Sequence, residues 1–135
     1  MRITHEADYA IRILFCLASK NEKMGAKELS DCSGVTPRFT LKILRKLTGS
    51  GLVKSFKGMK GGYALQTPAQ DISIGQIVEL IDGPIRITHC LDDDYACTRM
   101  EGDRKCEFHS SFLEINQKLR ENLYDLKLSA FIHRQ

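Results

Sequence analysis

The chain has 135 residues, of which 42% are hydrophobic and 27% charged, an ordinary composition for a folded domain and not for a disordered one. Its longest uninterrupted apolar run, Ile13 to Ala18, is six residues, far short of a membrane span. The net charge of +3 hides an asymmetry: residues 1–66 hold 12 Lys and Arg against 5 Asp and Glu, or +7, whereas residues 67–135 hold 8 against 12, or −4. A basic first half joined to an acidic second half suggests a polyanion-binding module with an appendage. The opening MRITHEADYA has a carboxylate pair and no apolar h-region, which predicts a protein without a secretory signal. The expectation is a cytoplasmic protein with no membrane partner and five reduced cysteines, for which metal or redox chemistry is a better reading than a disulfide scaffold.

Residues 4 to 20 have a helical pattern. Thr4 suits an N-cap, Glu6 and Asp8 put negative charge in the first turn, and Tyr9, Ile13 and Leu17 recur on one face. A short second helix is predicted from about Ala26 to Cys32, anchored by Leu29 and ended by Gly34, a residue free to adopt positive φ. Thr36-Pro37 opens a third helix with an N-cap hydroxyl and a proline at the first helical position. It is expected to run to about Thr48 and to bury Leu41, Leu44 and Leu47. From Leu52 the period changes, and two short strands are predicted around the tip Gly58-Met59-Lys60-Gly61. Ser73 and Gln76 form a capping-box pair for a fourth helix, which Gly83-Pro84 terminates. Residues 85–103 show neither helical nor strand period. From about Lys105 to about Ile132 a long helix is predicted, with Phe108, Phe112, Ile115, Leu119 and Leu126 on a heptad seam and Asn122 at its remaining position.

The fold class expected is therefore mainly α with a small β-hairpin wing: a winged helix-turn-helix plus a long C-terminal dimerisation helix. The division is 1–83 for the winged unit, 84–104 for a loop and 105–135 for the last helix. In such a fold the third helix projects from the core so that its outer face enters the major groove of double-stranded DNA. Arg38, Lys42, Arg45 and Lys46 are expected on that face, with Phe39 and Thr40 near its start able to reach base edges or thymine methyls. Lys54, Lys57 and Lys60 place three cations on the wing for phosphate contact. Phe56 is read as a core residue, and each lysine taken singly as a solvated surface charge.

The cysteines divide into two groups. Cys16 and Cys32 sit in helices beside apolar neighbours and are read as small buried hydrophobes. Cys90, Cys97 and Cys106 lie in the loop and at the start of the last helix, and His109 follows Cys106 by three residues, one helical turn on. Three soft thiolates with an imidazole suit iron–sulfur or zinc ligation. His89 is a competing nitrogen ligand, and Asp92-Asp93-Asp94 is read as a solvated acidic loop, since carboxylates prefer harder ions. No Cys-x-x-Cys pair, phosphate-cradling glycine loop or nucleophile–base motif is present, so a redox enzyme is not the expectation.

On these residues the chain resembles the IscR/NsrR-type winged-helix regulators. The likeness rests on MRITHEADYAIRIL, VTPRFTLKILRKLTGSGLVKS, KGMKGGYAL, ISIGQIVELIDG and the three downstream cysteines, and it covers nearly the whole length. The resemblance implies a homodimeric bacterial transcription regulator, not an enzyme. It further implies that Cys90, Cys97 and Cys106 hold an iron–sulfur cluster sensing cluster status, redox state or nitric oxide. For the fourth ligand it offers two positions: His109, favoured here with a 2Fe-2S cluster, or Asp8 of the partner subunit with a 4Fe-4S cluster. The cysteine intervals of six and eight depart from the family's commonest, shorter spacing. A structural zinc site at the same cysteines is the alternative for the metal, and a winged-helix protein-interaction module without DNA affinity is an alternative for the function.

Overall fold

The Thr4 hydroxyl accepts the Ala7 N–H at 3.1 Å and starts the first helix, α1 (His5–Lys20), with Glu6 and Asp8 at its positive end. The structure, a computed structural model, describes residues 1–99 and 106–132. The same Thr4 donates from its backbone N–H and its hydroxyl to the Asp82 carboxylate. Asp82 is the last residue of α4 (Ile74–Asp82), so this clasp ties the start of the chain to the end of that helix. Ser73 caps α4 through the Gln76 N–H at 3.0 Å, as the capping pair predicts.

Between these helices lie α2 (Ala26–Ser33) and α3 (Pro37–Gly49), joined through Gly34 in the left-handed region. The hairpin pairs β1 (Val53–Phe56) antiparallel with β2 (Gly62–Leu65), in the register Val53 opposite Leu65 and Phe56 opposite Gly62. Met24, just before α2, exchanges two backbone hydrogen bonds with Tyr63 at 2.8 and 2.9 Å, adding a third short rung to the wing. Gly62 sits at the crossing with φ 149, and a Cβ there would lie 2.9 Å from the Met24 carbonyl oxygen. The core lies where α1 crosses the others: Ile13, Leu14, Leu17, Leu29, Ile43, Leu44, Leu47, Ile72 and Ile77 are almost fully shielded from solvent.

The C-terminal segment differs from the single helix expected. Helix α5 (Glu107–Asp125) stops at Leu126, which is extended. The Leu126 carbonyl accepts the Ile74 N–H at 2.9 Å, and the Leu128 N–H reaches the Ile72 carbonyl at 2.8 Å. A short α6 (Ser129–Ile132) then packs on α1. The heptad reading fails here because an extended step places Leu128 inside the core, fully buried, where a continuing helix would have carried it past. Lys105, at which the helix was expected to begin, lies outside the described residues.

Helices α4 and α5 approach so closely that a Cβ on Gly75 would collide with the Tyr124 ring and come within 2.9 Å of the Tyr124 backbone nitrogen. Gly75→Ala is therefore expected to lower stability by about 1–3 kcal/mol through overpacking. A denaturant midpoint equal to that of the wild-type chain would show that the two helices separate at no cost.

Candidate nucleic-acid interface and cysteine loop

Helix α3 is capped by Thr36, whose hydroxyl accepts the Phe39 N–H at 3.4 Å, with Pro37 in the first turn. Its inward face is Thr40, Ile43, Leu44 and Leu47. Two expectations are corrected by this phase. Thr40 is 0% exposed, its hydroxyl donating to the Val35 carbonyl at 3.4 Å, so it cannot contact a base. Leu41 is 44% exposed instead of buried, because Ile43 occupies the centre of the apolar arc and turns residue 41 toward its edge.

The outward face carries Arg38, Phe39, Leu41, Lys42, Arg45 and Lys46, all exposed, and the first five residues of that set line one shallow surface depression. Lys42 lies 5.7 Å from the Phe39 ring centroid, and Phe39 meets Tyr9 of α1 edge-on at 5.9 Å. Glu6, at the start of α1, pairs with Lys46 at 2.7 Å and with Lys42 at 3.8 Å. The Lys46 hydrogen bond holds the Glu6 carboxyl below its ordinary range, against the opposing effect of burial. Among the described residues Arg38 and Arg45 have no ion-pair partner.

On the wing Lys54, Lys57 and Lys60 are exposed, and Met59 at the tip is fully so. Phe56 is 38% exposed and not a core residue: β1 is only half covered, and the ring lies 4.9 Å from Lys23 Nζ and 5.4 Å from Lys54 Nζ. Lys23 also donates to the Lys60 carbonyl at 3.0 Å, so the wing tip is held toward α2.

The loop after α4 is held by groups that sequence patterning did not single out. Asn116 of α5, 4% exposed, donates to the Ile85 carbonyl and accepts the Ile87 N–H, both at 2.9 Å. Glu79 of α4 accepts the Ile85 N–H at 2.9 Å, the Tyr124 hydroxyl at 2.5 Å and the Arg120 guanidinium at 2.9 Å. Burial alone would raise the Glu79 carboxyl, but the hydrogen bonds from Arg120, Tyr124 and Ile85 outweigh it and hold it at about 2. The available signal for Asn116 was a polar residue on an apolar stripe, four after Phe112 and three before Leu119. Glu79 gave none.

Cys90, Cys97 and Cys106 are free and half-buried. Cys90 lies in the short 3-10 turn His89–Leu91, and Cys106 is the N-cap residue of α5. Hydrogen bonding from the His109 N–H, and secondarily from the Phe108 N–H and Arg99, lowers the Cys106 thiol against the effect of burial. His109 has a buried Nδ1 with no hydrogen-bond partner among the described residues. Asp8 pairs with Arg12 at 2.8 Å, and exposed His89 stacks near Tyr95 and lies 3.6 Å from Asp92. Among the described residues no three ligating side chains converge at metal-binding distance. The predicted donors are thus not assembled around one point among the described residues. Cys16 and Cys32 differ from expectation more sharply: Cys32 is exposed, and the two sulfurs form a disulfide across a Cα–Cα distance of 6.3 Å. The α1–α2 packing brings them together, which spacing alone could not reveal.

Residues 3–134 match the model of a family described as Rrf2, iron-dependent transcriptional regulator. The chain belongs to the Rrf2 family. It is 33% identical over 93 residues to Protein aau3 of Rhizobium meliloti, covering 68% of this chain and 60% of that one, so it spans three-fifths of that relative's length. It is 27% identical over 138 residues to the HTH-type transcriptional regulator IscR of Klebsiella pneumoniae, covering 100% of this chain and 82% of that one. In structure it is similar to CymR (YrzC), the global cysteine regulator of B. subtilis, with a TM-score of 0.82, 21% identity and coverage of 100% and 98%. That likeness establishes the Rrf2-type winged-helix fold, and no helix among the described residues is long and apolar enough to cross a membrane.

The Glu79 carboxyl titrates lower in the folded chain than its ordinary 4.5, so the folded state binds fewer protons than the unfolded state between those values. Its stabilising contribution is complete above about pH 4.5 and is lost as the pH falls toward about 2. A shift of that size corresponds to about 3 kcal/mol. Glu79→Gln should lose stability at neutral pH and show a shallower decline through this acid window. Parallel acid-unfolding curves for the two proteins would contradict the assignment.

Proposed function

We propose that this Rrf2-family chain is a homodimeric DNA-binding regulator whose loop cysteines hold an iron–sulfur cluster and whose DNA affinity follows the state of that loop. The observation that carries the DNA reading is the outward face of α3, where Arg38 and Arg45 have no carboxylate partner among the described residues. A guanidinium can pair bidentately with a guanine edge, whereas Lys42 and Lys46 offer point charges to phosphates once they leave Glu6. Lys54, Lys57 and Lys60 reach the flanking backbone from the wing.

Support for the dimer comes from α5. Phe108, Phe112 and Ile115 are exposed at steps of four and three residues, an apolar stripe that a second copy of the chain would cover. Leu119 leaves that stripe and packs on the chain's own core. Two-fold symmetry then calls for a pseudo-palindromic operator with half-sites on successive turns of the duplex.

The donor chemistry of the loop fits a soft metal centre: three free thiols, one of them acidified, and an imidazole nitrogen buried without a partner among the described residues. Cys90, Cys97 and Cys106 would hold it, with His109 the favoured fourth ligand and Asp8 of the partner subunit the other. A bound 2Fe-2S or 4Fe-4S cluster would supply a centre sensitive to oxidation and nitric oxide. The chain's own part is mechanical. Cys90 lies beyond the Ile85–Ile87 segment that Asn116 and Glu79 grip, so a shift of the loop pulls on α4 and α5, and α4 packs directly on α1.

The test uses a duplex selected from random sequence. Arg38→Ala should weaken specific binding by about 1–3 kcal/mol, and Lys57→Ala should weaken binding to all sequences and flatten its salt dependence. Sedimentation should give two chains per duplex. Unaltered affinity in both variants would displace the interface, and one chain per duplex would remove the two-fold reading.

For the loop, protein isolated without oxygen should absorb in the visible and contain iron and sulfide. Cys90→Ser, Cys97→Ser and Cys106→Ser should each abolish this. Reconstituted His109→Ala should lose iron while Asp8→Ala retains it. The reverse pattern assigns the ligand to Asp8, and colourless protein containing zinc assigns the site to structural zinc.

A further inference from the structure

We infer that Cys16 and Cys32 form a second thiol site, a reversible dithiol–disulfide couple within the DNA-binding unit, whose oxidant is a low-molecular-weight disulfide and whose oxidised form fixes α3. Three observations carry it. The two sulfurs are joined across the α1–α2 contact, while the chain's other cysteines all lie at residue 90 or beyond. Cys32 is exposed but Cys16 is 4% exposed, so a small reagent meets Cys32 first. Helix α2 is eight residues long and buries only one large apolar side chain, Leu29, together with Ser30 and Ser33. A covalent tie to α1 therefore adds to the packing on α1 and α3 and to the Lys20–Glu28 pair that hold it.

The step balances as two exchanges. The Cys32 thiolate attacks one sulfur of the small disulfide, forming a mixed disulfide and releasing one small thiolate. Cys16, having given its proton to solvent, attacks the Cys32 sulfur and releases the second. The chain loses two electrons and two protons, and the small disulfide is reduced to two thiols.

The end of α2 is stitched to the start of α3, so fixing residue 32 fixes the recognition helix. Ser33 Oγ accepts the Val35 N–H at 3.3 Å and donates to the Leu29 carbonyl at 2.6 Å. The Val35 carbonyl accepts from Ser30 Oγ at 2.5 Å and from the Thr40 hydroxyl at 3.4 Å. Oxidation thus removes freedom from the turn that aims Arg38, whereas reduction leaves α2 to its non-covalent packing, the Lys20–Glu28 pair and these hydroxyls. The effect on DNA rests on the interface proposed above. The thiol couple itself does not.

The test equilibrates the full chain, freed of metal by a chelator and kept from oxygen, in mixtures of reduced and oxidised glutathione. Remaining thiols are alkylated and the peptides mapped by mass. A linked Cys16–Cys32 peptide should appear and vanish reversibly, and the oxidised form should melt higher by about 5 °C or more. It should also bind the selected duplex about fivefold or more tightly than the reduced form. Cys32→Ser should remove the redox dependence of both readings. Full alkylation of both cysteines throughout, pairing of either with a loop cysteine, or equal melting of the two forms would overturn the couple. A melting difference with equal DNA affinity would overturn the link to α3, and absence of DNA binding in both forms would count against the interface alone.

Discussion

Glu79 is the half-buried carboxylate on which the C-terminal half of the molecule is arranged. A carboxylate with little solvent contact is tolerated only when its oxygens are saturated with donors, and here two segments supply them, α5 and the chain that follows α4. Arg120 and Tyr124 bring α5 onto α4, and the Ile85 N–H brings in the chain that leads to the cysteines. Asn116 grips the same loop one step later, so its first residues are fixed on both backbone edges. At the same crossing Gly75 lets the α5 backbone approach, since a Cβ there would collide with the Tyr124 ring whose hydroxyl donates to Glu79.

From that node a continuous packed path runs to the opposite surface. Helix α4 packs against α1 and is clasped to its start by Asp82 and Thr4. Two residues beyond Thr4, Glu6 holds Lys46 and Lys42 of α3. Glu6 therefore opposes the basic face it helps to order. Exposed pairs of this kind contribute little to stability, but they keep long side chains from wandering and would have to be given up in the proposed DNA complex. The two arginines on the same face carry no such competing contact among the described residues, which separates the cations already engaged within the chain from those left free.

What could be read from sequence was what local chemistry encodes. Thr4, Thr36-Pro37 and Ser73 announce helix starts through their own side chains, and each caps as expected. The hairpin follows equally directly from its glycines and short apolar strands. Thr40 and Leu41 were misplaced because a one-residue error in the phase of a short apolar arc exchanges inside for outside. Phe56 was misplaced because a two-stranded wing has one uncovered side. Glu79, Asn116 and the Cys16–Cys32 pairing are contacts across 41, 31 and 16 residues, set by packing and carried by no periodicity.

The last helix shows how one apolar pattern can serve two surfaces. A heptad seam read along α5 predicts a single partner face, yet Leu119, Leu123 and Tyr124 pack on the chain's own core while Phe108, Phe112 and Ile115 remain in water. Asn122, expected on the seam, is exposed, and Asn116 is the polar residue that is buried. The helix therefore changes allegiance along its length: its C-terminal half is bound to α4 by the Glu79 node, and its N-terminal half carries apolar area that this chain alone does not cover. Cys106 and His109 sit at the uncovered end, within a turn of Phe108 and Phe112. Whatever covers those rings is a neighbour of the cysteine loop, so in the proposed dimer the second chain would lie beside the sensor as well as beside the helix.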